Sequence, residues 1–228
     1  LSFIGEYSRL TGNSVVVEIG CGLGDTCRYL VERFGCRVVG FDMNAAQISN
    51  AELTRQRCAT PDKLQFVHGS IESPAGLDAL ASSNGSADLV YTLDVLMLVE
   101  DPGAAIRSAA SLLRKGGRLA IAEVTAGPSM PPSLPARLWE MDGMASMLTP
   151  AEYGCLIKEA GLSEVRFVDR TPLAVGCFSK IDAALKQHRS QMIEGASLQQ
   201  YQGWCEVTAL YLEWFRTGQL LYSQIVGA

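Results

Sequence analysis

The run Val15-Val16-Val17-Glu18-Ile19-Gly20-Cys21-Gly22-Leu23-Gly24-Asp25 decides how this chain folds. Four of its first five residues are β-branched, and such a run bounded by glycine reads as a buried parallel strand. Glycines at 20, 22 and 24 let the main chain turn tightly and let a ligand come close to the backbone. Residues 25–34 (DTCRYLVERF) then take helical spacing, with Asp25 suited to the helix start. Strand, glycine turn and helix together open a βαβ unit; a plain tight turn is the other reading of the glycines taken alone.

The same alternation continues on the carboxyl side. Strands are expected at 37–41, ending on Asp42, and at 64–67, 87–91 and 118–124. Helices are expected at 44–58, with Asn44 as cap, and at 102–114, opened by Pro102 and ended by Gly116-Gly117. Residues 2–10 look like a short amphipathic helix. Five strands alternating with helices imply an α/β fold built on a doubly wound parallel sheet. Beyond them, 127–135 (GPSMPPSLP) has four prolines in nine residues and reads as an excursion over the carboxyl edge of the sheet. Helices are expected at 137–147, at 151–160 behind Thr149-Pro150, and over 178–216 with a break near Gly195; strands at 165–169 and 219–226 close the chain. Residues 1–228 read as one domain, with 126–148 and 178–216 as lid or insert elements on the substrate side.

Composition narrows the class. The 228 residues are 48% hydrophobic and 19% charged, which is globular rather than disordered. A net charge of −5 and the absence of a Lys/Arg run give no face for nucleic acid. The seven cysteines are odd in number and form no CxxC pair, so neither a zinc site nor a disulfide framework is expected, and reduced thiols point to a cytoplasmic protein. No apolar run approaches the ~20 residues of a membrane span, and no signal-peptide pattern is seen. Whether a lid precedes Leu1, and the oligomeric state, stay open.

In open α/β sheets the ligand sits at the carboxyl ends of the strands where their order switches, so the loop after the first strand is the place to look. A dinucleotide fold wants G-x-G-x-x-G, but the third glycine position is Asp25, and an acid there repels a pyrophosphate. Glu18, two residues before the first glycine, favours a cationic ligand. S-adenosylmethionine carries an ammonium and a sulfonium and no phosphate. Asp42 stands about 20 residues on, where an acid grips ribose hydroxyls, although a helix-capping role is the alternative. Met43 suits an adenine face.

These residues resemble the class I S-adenosylmethionine-dependent methyltransferases. VVVEIGCGLGDT is similar to the family's first motif, GFDMNAAQIS to its second-strand acid segment, HGSIES to the third-strand turn and ADLVYTLDVLMLVEDP to the fourth motif. LLRKGGRLAIAEV, LTPAEYGCLIKEAGLSEVRFVD and the tail GQLLYSQIVGA resemble the later elements. The resemblance implies a seven-stranded, mostly parallel sheet with an antiparallel last strand. It also implies S-adenosyl-L-methionine held by Glu18, Gly20, Cys21, Gly22, Gly24, Asp42, Met43, Gln47, Ser70, Ile71, Leu93 and Leu98. Ser70 stands where the family often has an acid. Within the family the arrangement most resembles small-molecule enzymes: sarcosine- and phosphoethanolamine-type N-methyltransferases and natural-product C- and O-methyltransferases.

Methyl transfer needs alignment and water exclusion, and a base only where the nucleophile holds its proton tightly. Many relatives have a His where this chain has Leu98; His68 and His188 lie elsewhere and read as structural and solvated. Asp94, Glu140 and Tyr201 are therefore the expected catalytic residues, with capping the alternative for Asp94. Glu123, Trp139 and Trp204 are the expected substrate-binding residues. Asp142, Met141, Met144 and Met147 accompany Trp139 and Glu140 in a set suited to an amine, or else are core filler and solvated acid. Tyr201, Trp204, Tyr211, Trp214 and Phe215 form an aromatic stripe at helical spacing, which also suits core packing. The expected function is methyl transfer to a small molecule, an amine slightly ahead of carbon or oxygen, with no metal. A nicotinamide-dependent oxidoreductase and a non-catalytic cofactor-binding subunit are the readings from other classes.

Overall fold

The computed structural model describes residues 9–72 and 85–228. The expected helix over 2–10 falls almost wholly outside that set. A seven-stranded sheet runs in the order β3-β2-β1-β4-β5-β7-β6. Its strands are β1 Val15–Ile19, β2 Arg37–Asp42, β3 Leu64–His68, β4 Ala87–Leu93, β5 Leu113–Ala126, β6 Arg166–Asp169 and β7 Leu220–Gly227. β1 lies parallel between β2 and β4, while β7 is antiparallel to both β5 and β6. The chain builds β1, β2 and β3 in one direction and then returns to the other side of β1 for β4. The carboxyl ends of β1 and β4 thus flank the switch point.

Side chains alternate to opposite faces at a period of two. Val17, Val90, Ile121 and Ile225 pack on one face beneath helices α3 (Pro102–Leu112) and α5 (Pro150–Glu159), through Ile106, Leu112, Tyr153 and Ile157. Val16, Leu89, Tyr91 and Val226 pack on the other beneath α1 (Asp25–Phe34) and α2 (Ala45–Gln56), through Cys27, Leu30, Val31 and Ala51. Each fully buried aliphatic side chain here contributes about 1.5–3 kcal/mol. A third cluster lies past the carboxyl ends of the strands. It joins Met97, Val124 and Leu220 to α4 (Leu134–Asp142), α6 (Thr171–Gln187) and α8 (Leu198–Arg216); the short α7 (Arg189–Gly195) links the last two.

The sheet, its order and its antiparallel last strand agree with expectation. Several boundaries move, for local reasons. The third helix stops at Leu112 and β5 starts at Leu113, so Gly116-Gly117 does not end a helix. It lies in a slip of register where the β4–β5 pairing jumps from Ala87↔Leu113 to Leu89↔Arg118. α4 ends at Asp142, not 147, because Gly143 takes a left-handed φ of 69° and closes the last turn onto Leu138 and Trp139. α6 begins at Thr171, earlier than 178: Pro172 fits a first turn, and Asp169 Oδ1 accepts the Thr171 N–H at 2.8 Å. The break near Gly195 is present, and Ser197 caps the helix that follows.

Candidate functional site

The glycine turn is set by what presses on it. Gly20 (φ 72°) and Gly24 (φ 77°) occupy left-handed backbone, and a Cβ would fall onto Val95 Cγ2 at the first and onto the Phe66 ring at the second. The turn is tied to β2: the Gly22 N–H donates to Asp42 Oδ2 at 2.9 Å, and the Asn44 N–H donates to Asp42 Oδ1 at 2.8 Å. Beside them opens a cavity of about 270 Å³ lined by Gly20, Asp42, Met43, Ser70, Ile71, Leu93 and Leu98, all seven expected on the cofactor. Glu72 and Val99 also line it and were not expected. Glu72 Oε1 accepts the backbone N–H groups of Glu100 (3.2 Å) and Asp101 (3.4 Å), so it braces the far wall.

The remaining expected cofactor residues stand behind this surface. Cys21, Gly22, Gly24 and Gln47 are not among the residues lining the cavity; Gly22 bears on it through Asp42. Glu18 also stands behind this surface. It is buried beneath the turn, where its Oε2 accepts the Cys27 thiol at 2.7 Å, and burial pushes its pKa up to about 7. Glu18 is not among the residues lining the cavity and bears on it from beneath the turn. The acids that face the opening are Asp42, Glu72 and Asp94, and no Lys, Arg or His is among the described residues lining it. The acids on its lining suit a cation.

A second cavity of about 740 Å³ continues from the first; Leu93, Asp94 and Leu98 line both. Asp94 sits at the junction with φ 54°, unusual for a side-chain-bearing residue, held by its N–H on the Ala122 carbonyl at 2.9 Å. Its Oδ2 accepts the Tyr222 hydroxyl at 3.3 Å. Protein packed around the carboxyl raises its pKa to about 6, while its surface stays open to the cavities. Across the chamber Asp142 Oδ2 accepts the Tyr211 hydroxyl at 2.5 Å. Phe178 stacks on Tyr211 with ring centres 5.2 Å apart, and Met97, Met144, Leu173 and Phe215 complete an apolar wall.

Of the expected acceptor-side residues, Asp94 lies on this chamber and five do not. Glu123 is fully buried behind it: its Oε1 accepts the N–H groups of Val95 (2.9 Å) and Leu96 (2.8 Å), and burial pushes its pKa to about 8. It holds the loop that carries Asp94 and Leu98 and does not line the chamber. Trp139 and Glu140 point to solvent, because the inward stripe of α4 is Leu134, Leu138 and Asp142 at a spacing of four. Tyr201 packs against Arg189, and Trp204 borders a neighbouring groove with Ile181, Leu185 and Met192 that meets the chamber at Asp142 and Val207. The stripe reaches the chamber two to three turns later, through Tyr211 and Phe215. Met144 and Asp142 were legible as part of the insert set. Tyr222 and Phe178 were not, since only the antiparallel pairing of β7 and the early start of α6 bring them there.

A family profile described as a methyltransferase domain matches residues 2–166. The chain belongs to the methyltransferase domain family. Among curated proteins, the sarcosine/dimethylglycine N-methyltransferase of Halorhodospira halochloris is 24% identical over 93% of this chain and 71% of its own length. Phosphoethanolamine N-methyltransferase 1 of Arabidopsis thaliana is 23% identical over 86% of this chain, which spans 38% of that protein. Among solved structures, phosphoethanolamine N-methyltransferase 2 of Haemonchus contortus, in complex with phosphomonomethylethanolamine and S-adenosylhomocysteine, superposes with a TM-score of 0.87 at 13% identity. That match covers 100% of this chain and 51% of the solved one. O- and C-methyltransferases are also among the matches.

Proposed function

We propose that this methyltransferase-family chain moves a methyl group from S-adenosyl-L-methionine to the nitrogen of a small-molecule amine. The observation that carries the reading is the meeting of two cavities at Leu93, Asp94 and Leu98, with a carboxylate at the junction. The smaller cavity fits the cofactor. Its acids suit a sulfonium and an ammonium, the backbone at Gly20 is open to close approach, and Asp42 keeps lone pairs free beside its two backbone donors. In this reading Asp42 takes the ribose hydroxyls, Met43 lies along adenine, and Ser70 and Ile71 border its edge. Leu93 and Leu98 bound the passage to the acceptor.

S-adenosylmethionine supplies an electrophilic methyl carbon: the nitrogen lone pair forms the N–C bond, and the C–S electron pair stays on sulfur. The chain's own contribution is placement and field. Asp94, ionised above about pH 6, faces the passage, stabilises positive charge growing on the nitrogen and can take its proton. α4 and the α6–α8 segment wall the larger chamber and exclude water, which is the lid role proposed for 126–148 and 178–216.

Calorimetric titration with S-adenosylhomocysteine and with NAD, followed by a turnover assay for S-adenosylhomocysteine over an amine panel, tests the reading. Binding of the first ligand and amine-dependent turnover are expected. Binding of NAD alone, or cofactor binding without turnover on any amine, alcohol or activated carbon acid, would overturn it.

A further inference from the structure

The acceptor chamber is lined by carboxylates and apolar groups. Asp94 and Asp142 face it from opposite sides, and no Lys, Arg or His is among the described residues that line it. Residues 1–8 and 73–84, outside the described set, contain none of these side chains either. Arg137, the cation nearest to α4's inner face in sequence, lies over the Trp214 ring with its guanidinium 5.3 Å from the ring centre and does not line the chamber. A phosphate or carboxylate placed here would be desolvated between two like charges without a counter-ion.

The rest of the wall has one chemistry. Met97 and Met144 are pliable, Leu173, Val207 and Phe215 are apolar, and the stacked pair Phe178–Tyr211 can offer ring faces to a cation. The volume, about 740 Å³, falls within the roughly 300–1,000 Å³ of pockets that enclose drug-sized ligands. Each carboxylate is held by a tyrosine hydroxyl, Asp94 by Tyr222 and Asp142 by Tyr211, which fixes both acids on the cavity surface.

Resting on the methyl-transfer reading above, we infer that the acceptor is an apolar amine without phosphate or carboxylate, its nitrogen directed to Asp94 and its cationic character read by Asp94 and Asp142. The chain thereby differs in substrate class from the matched proteins named for phosphoethanolamine and sarcosine. Asp142 becomes a specificity-determining residue: its carboxylate adds to the negative field that favours a cationic acceptor over an anionic one, whereas Asp94 meets the nitrogen and serves the transfer.

The test is calorimetry on the full chain saturated with S-adenosylhomocysteine, titrated with apolar amines from phenethylamine to dodecylamine and with phosphoethanolamine and sarcosine. At least one apolar amine should bind about tenfold or more tighter than either anionic amine, as expected when a like charge is buried unpaired. Equal or tighter binding of phosphoethanolamine or sarcosine, or no binding by any apolar amine, overturns the inference. Asp142→Asn should weaken the best amine about tenfold and leave the alcohol of the same skeleton within about twofold, because only the charge that favours a cation is removed. Equal loss of both, with cofactor affinity retained, overturns the charge-reading role. S-adenosylhomocysteine affinity is measured first: its absence removes the methyl-transfer reading and this inference together, whereas its presence beside a failed amine series removes this inference alone.

Discussion

The Gly22 N–H donates to Asp42 Oδ2 at 2.9 Å, so the acid that ends β2 and the turn that follows β1 are one unit. Asp42 therefore has two tasks that truncation would remove together: its lone pairs for the proposed ribose contact, and the anchor that keeps the glycine turn out of the cavity. Hydrogen bonds to a charged group contribute roughly 1.5–3 kcal/mol each. Asp42→Ala is expected to weaken S-adenosylhomocysteine about 30- to 300-fold by calorimetry while the thermal transition stays cooperative. Asp42→Asn, which keeps one acceptor oxygen, should fall between. Unchanged affinity in Asp42→Ala would remove Asp42 from the cofactor.

Asp94 occupies left-handed backbone that Asn also tolerates, so Asp94→Asn changes charge with little strain, whereas Asp94→Ala adds a conformational cost of about 1 kcal/mol. With its pKa raised to about 6, the carboxyl is neutral below that pH and charged above it. The rate kcat/KM should therefore climb as pH rises through about 6. In Asp94→Asn that limb should vanish and kcat/KM at pH 8 should drop by about 10²–10⁴, the span of a lost proton-transfer or charge-stabilising group. Cofactor affinity should stay within a few-fold. A retained limb near pH 6 would place the titrating group elsewhere.

Glu123 and Glu18 make a prediction about stability. Burial raises their pKa values from an ordinary 4.5 to about 8 and about 7. The folded chain thus holds protons that the unfolded chain releases. Stability from these groups is full below about 4.5 and is lost as pH rises toward 7–8, at about 1.4 kcal/mol per pH unit per group. The Asp94 carboxylate lies close enough to repel a charge on Glu123 and adds to its cost. Denaturant titrations should give a chain several kcal/mol weaker at pH 8.5 than at pH 5.5. Glu123→Gln, which keeps an acceptor for Val95 and Leu96, should flatten that slope; an unaltered slope would show that Glu123 is not its source.

The sequence carried the sheet because a buried parallel strand writes its partners into every residue: VVVEI, RVVGFD and ADLVYTL are apolar on both faces. It carried the rim of the smaller cavity because Gly20, Asp42, Ser70 and Leu93 sit at the carboxyl ends of successive strands, where topology places ligands. It did not carry the larger chamber. Which side of α4 turns inward depends on its packing in the third cluster, and Asp142 and Trp139, three residues apart, differ by only about 60° around the helix. Glu18 and Glu123 look like site acids in sequence because spacing cannot tell a carboxylate at a cavity from one buried beneath a loop.

The aromatic stripe of α8 divides between two surfaces of the chain. Tyr201 and Trp204 lie in its first half, against Arg189 and beside Met192, whereas Tyr211 and Phe215 lie in its second half on the proposed acceptor chamber. Tyr211→Phe removes the hydroxyl that holds Asp142 at 2.5 Å and should raise the acceptor KM about tenfold, the cost of a charged hydrogen bond, with cofactor affinity unchanged. Phe215→Ala opens a gap among Phe178, Tyr211 and Trp214 and should cost about 3–5 kcal/mol of stability. Its conservative partner Phe215→Leu keeps the fold and reports on KM alone. Trp204→Ala, at an exposed position outside the chamber's own lining, should leave kcat/KM within about twofold, as surface truncations do. Steady-state kinetics on these variants decides between the two halves: a KM that moves with Trp204 and not with Tyr211 would return the acceptor to the first half of the helix.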